Sequence, residues 1–382
     1  MLLVTILPLL LVGGYALYST TDSLRQSSIS ALENKVSLVG ERVEHFLENV
    51  SSDLFYLRDS SAINLYLSGL DGDAESSQLL LENFSQSLMV FSDKRKIYSQ
   101  IRFINKEGME VVRVNYNGGD ITVTPKDKLQ NKKGRYYFDD TIKLKKDGLM
   151  ISPLDLNREK GKIEMPIRPT LRYATPVFNA SNELQGIIIV NILAKKLLNI
   201  ISKENLPNET LVFVDKAGYY YQHPDESKLW GSKDDLDTGK NLFTDKASVQ
   251  KSITKEKKIG HFETGDDIAS YHPVLLNNGR HQLGTIIDFV PKKVVFSPVS
   301  LFIWIFIGIA LFALLVAFLL AMTLASSISR PLETLKDEVE KLAKGDLGSA
   351  IDVETNDEVG ELSHAIEKLR RSMQILMRRA SK

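Results

Sequence analysis

The sequence predicts an α+β fold in which two tandem modules stand on a long N-terminal helix, between two membrane-spanning helices and ahead of a helical tail. Three observations predict it. Apolar segments 1–18 and 299–325 bracket about 280 residues of mixed polar chain. Apolar residues at helical spacing fill the start of that stretch, and a strand–turn–strand pattern then occurs twice, about 110 residues apart.

The bilayer core is about 30 Å thick and a helix rises about 1.5 Å per residue, so about 20 apolar residues span it. Val299 to Ala325 is uncharged and long enough. Segment 1–18 is at the lower limit and starts without basic residues. A cleaved signal peptide is its competing reading; the lack of an Ala-x-Ala-like cleavage pattern and the helical pattern that continues directly favour a retained span. Arg330 and Lys336 place the tail in the cytoplasm, which leaves the middle region outside. Lys292 and Lys293 then lie on the outer side, where long loops cross largely regardless of charge.

With 48 basic and 48 acidic residues the chain has no net charge, which gives no support to a nucleic-acid partner. Cysteine is absent, so the outer region has no disulfide framework and needs an ordinary apolar core. Thiolate metal sites and cysteine nucleophiles are excluded. The six histidines are scattered without a His-x-x-x-His pair, so no metal or cofactor is expected.

From Ser19 to Leu57, residues Leu24, Ile29, Leu32, Val36, Val39, Val43, Phe46 and Val50 predict a long helix over 19–58. Shorter helices follow over Leu54–Leu70 and Gln78–Phe91, around the break Gly69-Leu70-Asp71-Gly72-Asp73. Strands Gln100–Ile104 and Met109–Asn115 are joined by the turn Asn105 to Gly108. The second copy has Leu211–Val214 and Tyr219–Gln222 around Asp215 to Gly218. Likewise Tyr173-Ala174-Thr175-Pro176-Val177, Gly186 and Ile187–Ile192 are echoed by Tyr271-His272-Pro273-Val274, Gly284 and Thr285–Val290. Two modules, 59–200 and 201–298, each with an antiparallel sheet and linked by Leu197–Ile201, explain the duplication.

In the tail, Leu332, Leu335, Val339 and Leu342 alternate three and four apart, as do Val359, Leu362, Ile366, Leu369, Met373 and Leu376. Two such seams predict two helices that bury them in a parallel dimer, a four-helix bundle against which Ile351 and Val353 pack. Pro331 is expected at a helix start, where its missing N–H costs nothing.

The strand–turn–strand around Asn105–Gly108, Arg135-Tyr136-Tyr137-Phe138, Ser152 to Asn157, Tyr173 to Val177, and Val214 to Gly218 with His223-Pro224-Asp225 resemble the double Cache sensor domains of prokaryotic transmembrane receptors. The resemblance covers about residues 30 to 290 and implies PAS-like modules. Ile328-Ser329-Arg330-Pro331-Leu332, Ala343 to Leu347, and Asp357 to Leu362 resemble a HAMP signal-relay domain over 326–376. Residues 377–382 then begin an output segment that is missing or absent.

For a ligand site the residues point to the distal module, 59–200. Arg135, Tyr137, Phe138, Ser152, Asp155, Arg172, Tyr173 and Asn191 are the candidates, with Arg168 beside them. Arginine brings a planar fork suited to carboxylate or phosphate, and aromatic rings exclude water around it. The competing reading is a surface arginine beside core aromatics. Asn191 interrupts an apolar interior strand, and a buried amide needs partners, either backbone or ligand. Amine- and amino-acid-binding Cache members carry Arg-x-Trp-Tyr and a later Asp for the ammonium. The resemblance aligns Arg135, Tyr137 and Phe138 with that motif and Asn191 with the acid. With the acid lost, an anion such as a small carboxylate is expected; Asp139, Asp140 or Asp155 folding into the pocket would restore an amine site.

The expected function is signal transduction by a homodimeric receptor in the bacterial or archaeal cytoplasmic membrane, the ligand shifting the second span and the HAMP bundle. Pro291, Pro331, Gly345 and Glu358 are the expected relay positions, and the proximal module, with Tyr219–Tyr221 and His223 as structural residues, transmits. No enzyme motif such as Gly-x-Ser-x-Gly occurs. Gly118-Gly119-Asp120 lacks the residue that would complete a cyclase signature, and His364 lies outside its helix seam. The expected partners are a small anionic ligand, the bilayer, a second copy and a cytoplasmic output, whether of a chemotaxis receptor, a histidine kinase, a cyclase or a phosphatase regulator. The rivals are an extracytoplasmic hydrolase and a membrane anchor without ligand.

Overall fold

The computed structural model describes residues 2–70, 72–159, 161–253, 258–351 and 357–380. Two compact units form, one of residues 24–295 and one of residues 1–23 with 296–382.

Helix α1 (Leu2–Asp59) is unbroken, so the predicted 1–18 and 19–58 segments are one element. Val36, Val39, Val43, Leu47, Val50, Leu54 and Leu57 recur three and four apart and are all buried. The seam passes through Leu47, with Phe46 packed beside it, a one-residue correction of the spacing read above. The helix ends at Asp59, one residue past the predicted bound of 58. Helix α2 (Ser61–Ser68) and α3 (Ala74–Arg95) follow; Asp71 between them lies outside the described residues. Asp73 caps α3 by accepting a hydrogen bond from Ser76 N at 2.9 Å, and Lys94 and Arg95 face the negative end of its dipole.

The distal sheet is antiparallel. It contains β1 (Tyr98–Asn105), β2 (Glu110–Tyr116) and β3 (Ile121–Val123) and then, after the short helix α4 (Tyr136–Thr141), β4 (Met150–Ile151) and β5 (Asp155–Leu156). A separate hairpin, β6 (Arg158–Glu159) with β7 (Lys162–Ile163), precedes the long strands β8 (Pro169–Phe178) and β9 (Leu184–Leu193). The order is β3-β2-β1-β9-β8-β4, with β5 also on β8. Helix α5 (Ala194–Ser202) leads into β10 (Thr210–Val214) and β11 (Tyr220–Gln222). Two one-turn helices, α6 (Leu242–Asp245) and α7 (Val249–Ser252), come before β12 (Gly260–Glu263), β13 (Asp267–Leu276) and β14 (His281–Pro291). Their order is β11-β10-β14-β13-β12.

The two orders superimpose: β2-β1-β9-β8 in one module is β11-β10-β14-β13 in the other. Gly186 and Gly284 hold equivalent places and do the same job. A Cβ on Gly186 would lie 2.1 Å from the Ile104 carbonyl oxygen, and one on Gly284 would lie 2.4 Å from that of Val214. Only glycine lets the strands approach so closely.

In the other unit, α8 (Lys292–Val295) having ended the sensor region, α9 (Ser297–Leu324) is apolar on all sides. One helix among the described residues, Ser297–Ala343, is long and apolar enough to cross a membrane. It does not restart at Pro331 as predicted. The helix runs on through a wide π-turn at Ala325–Ser329 into α10 (Arg330–Ala343). Proline lacks the N–H of an α-turn and clashes with the carbonyl four residues back, and the wider turn relieves both.

Gly345, at φ 94°, ends α10. Helix α11 (Glu358–Ala380) begins where Asp357 accepts from Val359 N at 3.1 Å and Gly360 N at 3.3 Å, with Glu358 exposed in its first turn. Ile351 is buried, and its N–H donates to Glu367, which also grips Arg370 through two 2.8 Å bonds. Val353 and the last two residues of 377–382 lie outside the described residues.

Candidate functional site

Side chains alternate across a strand, so one face of the distal sheet meets the helices and the other is free to form a site. Phe103, Tyr173, Ile188 and Val190 go to the helix side. Ile104, Ala174, Ile187 and Ile189 go to the other, where Tyr137 and Phe138 of α4 pack on them. Above that apolar patch the same face turns polar. Gln100 of β1 pairs in register with Asn191 of β9, which pairs with Arg172 of β8.

A cavity of about 420 Å³ opens over this row. Its wall carries Arg102, Arg113, Lys132, Arg135, Arg158 and Arg172, against one carboxylate, Asp155. Gln100, Gln130, Tyr136, Tyr137, Asn157 and Asn191 supply the neutral polar lining.

Asn191, 3 % exposed, is fully engaged: its amide oxygen accepts from Arg102 at 2.9 Å and its nitrogen donates to Gln100 at 3.2 Å. Arg102 also lies 3.5 Å from buried Glu110 and stacks 5.4 Å from the Tyr137 ring centroid, while its Nε is buried without a partner among the described residues. Glu110 is held further by Lys132 at 3.6 Å and by Gln130 N at 3.1 Å. Arg172 donates to Asp155 at 2.8 Å, to Asn157 at 3.2 Å and to the Tyr136 hydroxyl at 3.4 Å. Burial opposes the charge on Arg172, but Asp155 and the tyrosines outweigh it and raise its pKa. On Asp155 burial wins over the Arg172 partner, and the carboxyl is raised.

Of the predicted residues, Arg135, Tyr137, Asp155, Arg172 and Asn191 line this cavity. Arg135 is exposed at the start of α4. Three do not line it. Phe138 is in the core beneath, and Tyr173 points to the helix side one residue out of phase with Arg172. Ser152 braces the strand instead, accepting from Arg172 N at 2.9 Å and donating to the Pro153 carbonyl at 2.7 Å. Arg168 is placed near Glu164, at 3.7 Å. Sequence reasoning missed Arg102. It breaks the apolar run of a central strand just as Asn191 does, and that signal was present.

Residues 42–287 match the family model described as "Bacterial histidine kinase, sensor domain", and residues 323–374 match that of the HAMP domain. Methyl-accepting chemotaxis protein McpA of Bacillus subtilis (strain 168) is 22% identical over 377 residues, 98% of this chain and 50% of McpA, so the chain spans half the length of that curated relative. Among solved structures, the extracellular domain of a protein assigned as a histidine kinase superimposes with a TM-score of 0.59 at 18% identity, covering 74% of this chain and 96% of that one. The ligand-binding domain of the Campylobacter jejuni chemoreceptor Tlp3, solved with L-valine, gives 0.53 at 12% identity, covering 72% and 97%. At those identities the likeness is one of fold. The chain has the Cache-type fold and belongs to the bacterial histidine kinase sensor-domain family, with a HAMP domain after the sensor.

Proposed function

We propose that the distal cavity binds a small organic anion, a carboxylate first of all, and that the protein is the sensory part of a transmembrane receptor. The observation that carries the anion is the imbalance of the wall, six basic side chains against Asp155, which Arg172 already holds. A desolvated ammonium finds little there, whereas guanidinium forks meet a carboxylate bidentately. Tlp3 is described with L-valine, a zwitterion. The same chemistry in this chain needs Asp155 released from Arg172.

Supporting the relay, β14 ends at Pro291 and the chain continues into the membrane-length helix and HAMP. The N-terminal part of α1 exposes Leu7, Leu10, Leu11 and Val12, as a second span would. Gly13 leaves room for the Phe306 ring, whose Cζ would lie 2.1 Å from a Cβ. Leu332, Leu362, Leu369 and Leu376 are exposed within one chain, and a second copy in a parallel four-helix bundle covers them. The cytoplasmic output is that of a chemotaxis receptor or a histidine kinase; the residues present carry no catalysis of their own.

The test is thermal unfolding of the full chain in detergent against carboxylates, phosphates, amines and amino acids. A carboxylate at a hundred times its Kd adds about 2.7 kcal/mol, and Arg172→Ala abolishes the shift. A protein blind to every carboxylate refutes the anion. For the relay, deleting residues 347–358 in a receptor fused to a reporter output abolishes the ligand response; a retained response refutes a relay through this connector.

A further inference from the structure

A second cavity, about 380 Å³, lies where the proximal module meets Pro153, Leu154 and Asp155 of the distal one, and the transmission role leaves it unexplained. Its wall inverts the distal chemistry: Asp155, Asp215, Asp234 and Asp235 line it, with Lys233, exposed, as the one basic lining residue. Tyr219, Tyr220, Tyr221 and Trp230 add aromatic rings to the wall. Tyr221 and Trp230 stand with ring centroids 5.6 Å apart.

Two buried donors open onto this space. Tyr221 is 8 % exposed and Trp230 is 2 % exposed, yet neither the Tyr221 hydroxyl nor the Trp230 indole N–H has a hydrogen-bond partner among the described residues. Both residues line the cavity. A buried hydroxyl or indole N–H ordinarily finds a partner.

The carboxylates are not arranged for a metal, since no group of three or more His, Asp or Glu side chains is placed to hold one among the described residues. They are already shaped by the fold. Asp215 accepts from Ala217 N and Tyr219 N, both at 2.8 Å, and Asp235 accepts from Leu156 N at 3.1 Å and Ser232 at 2.7 Å. Burial and, less strongly, the neighbouring Asp235 raise the Asp215 carboxyl.

We infer that this cavity is a second ligand site, for a small organic ammonium: its charge sits against Asp215 and Asp235 and over the Tyr221 and Trp230 rings, and an oxygen of the ligand accepts from the indole N–H. Ammonium ions are drawn to aromatic faces, and carboxylates supply the charge that six basic residues deny them in the distal cavity. The site shares Asp155 with the distal cavity. Tyr219 and Tyr221, expected to be structural, are thereby part of a binding wall.

The experiment is intrinsic fluorescence of the full chain in detergent, in a Trp304→Phe background so that Trp230 reports alone, titrated with ethanolamine, choline and putrescine. At least one ammonium changes the emission saturably, propanol, the neutral counterpart of ethanolamine, does not, and Asp215→Asn weakens the response roughly tenfold. Tyr221→Phe, which keeps the ring, weakens it less. No response to any of the three, an equal response to propanol, or full affinity in both variants overturns the inference. Failure of the distal anion reading leaves these outcomes unchanged, because Asp215, Tyr221 and Trp230 lie outside that cavity.

Discussion

The distal and proximal modules share a strand order but differ in how their sheets meet α1 and in the cavities beside them. Against α1 the distal sheet is mainly apolar, with one inset polar group, Asp53, which accepts from the Tyr98 hydroxyl at 2.6 Å and pairs with Arg95. The proximal sheet, whose Leu211, Phe213, Val274 and Ile286 share one apolar core with α1, adds charged pairs to that contact. Glu33 lies 2.7 Å from His261, Lys35 lies 2.7 Å from Asp288 and also pairs with Glu209, and Glu44 accepts from Leu275 N at 2.6 Å with His272 at 3.4 Å. Gly40 lets His272 in, with a Cβ there only 2.2 Å from its Cδ2. The basic cavity opens on the outer face of the distal sheet, and the acidic one at the edge strand β11, beside Pro153, Leu154 and Asp155. A shared strand order therefore does not put the two cavities in one place, and the side chains around each decide what enters it.

Breaking the distal pocket at Arg102 has the largest effect. Arg102→Ala leaves Glu110, wholly buried, with Lys132 as its remaining cation among the described residues, and is expected to cost about 3 kcal/mol by chemical denaturation. It also strips Asn191 of its donor, so carboxylate binding is lost as well. Next come the twin glycines. Gly186→Ala and Gly284→Ala each force a strand away from a carbonyl oxygen and are expected to cost about 2 kcal/mol, in equal measure if the modules are true copies. Unequal losses, read as separate shifts in the urea midpoint, would break the equivalence.

Asp288 sharpens the contrast at the helix face. It is 0 % exposed, and burial, opposed by Lys35, pushes its carboxyl from 3.8 up to about 6. The folded state therefore holds this proton more tightly than the unfolded chain. Its contribution to stability is complete below pH 3.8 and is lost as pH rises through about 6. Asp288→Asn is expected to flatten that stretch of the stability profile by about 3 kcal/mol, measured by urea unfolding at several pH values. A slope unchanged by the substitution would show that Asp288 is not its source. The smallest effect belongs to Arg42→Ala, whose 2.6 Å pair with Glu204 is exposed on both sides; its loss is expected to cost under about 0.5 kcal/mol.

Much of this was legible. The duplicated turn and glycine pattern led to two sheets of one topology, and the seam of α1 was misread only at Phe46. Strand alternation sends Arg172 and Asn191 to one face and Tyr173 to the other, and it was applied to none of the three. Gln130, Lys132, Asn157 and Arg158 come from loops or a short hairpin, where no period announces a direction. Lys35 and Glu44 read as a solvated helix face, because nothing in a helix's own spacing says that a polar sheet waits opposite. The acidic cavity was hidden for a related reason: Asp155, Asp215 and Asp235 come from three separate stretches, and only the fold brings them together.

The π-turn at Ala325–Ser329 separates two quantities that a uniform helix ties together, chain length and facing. It is an α-helix carrying one residue more than its turns require. Deleting one residue there leaves an ordinary α-turn and keeps Leu335 and Leu342 facing as before. The same deletion between Leu332 and Leu335 swings every later residue of α10 by about 100° about the axis. The joint ahead of Pro331 thus keeps the facing of α10 through a change of length, at the cost of restoring the clash of proline with the preceding turn, whereas three residues further on the same change turns the seam itself.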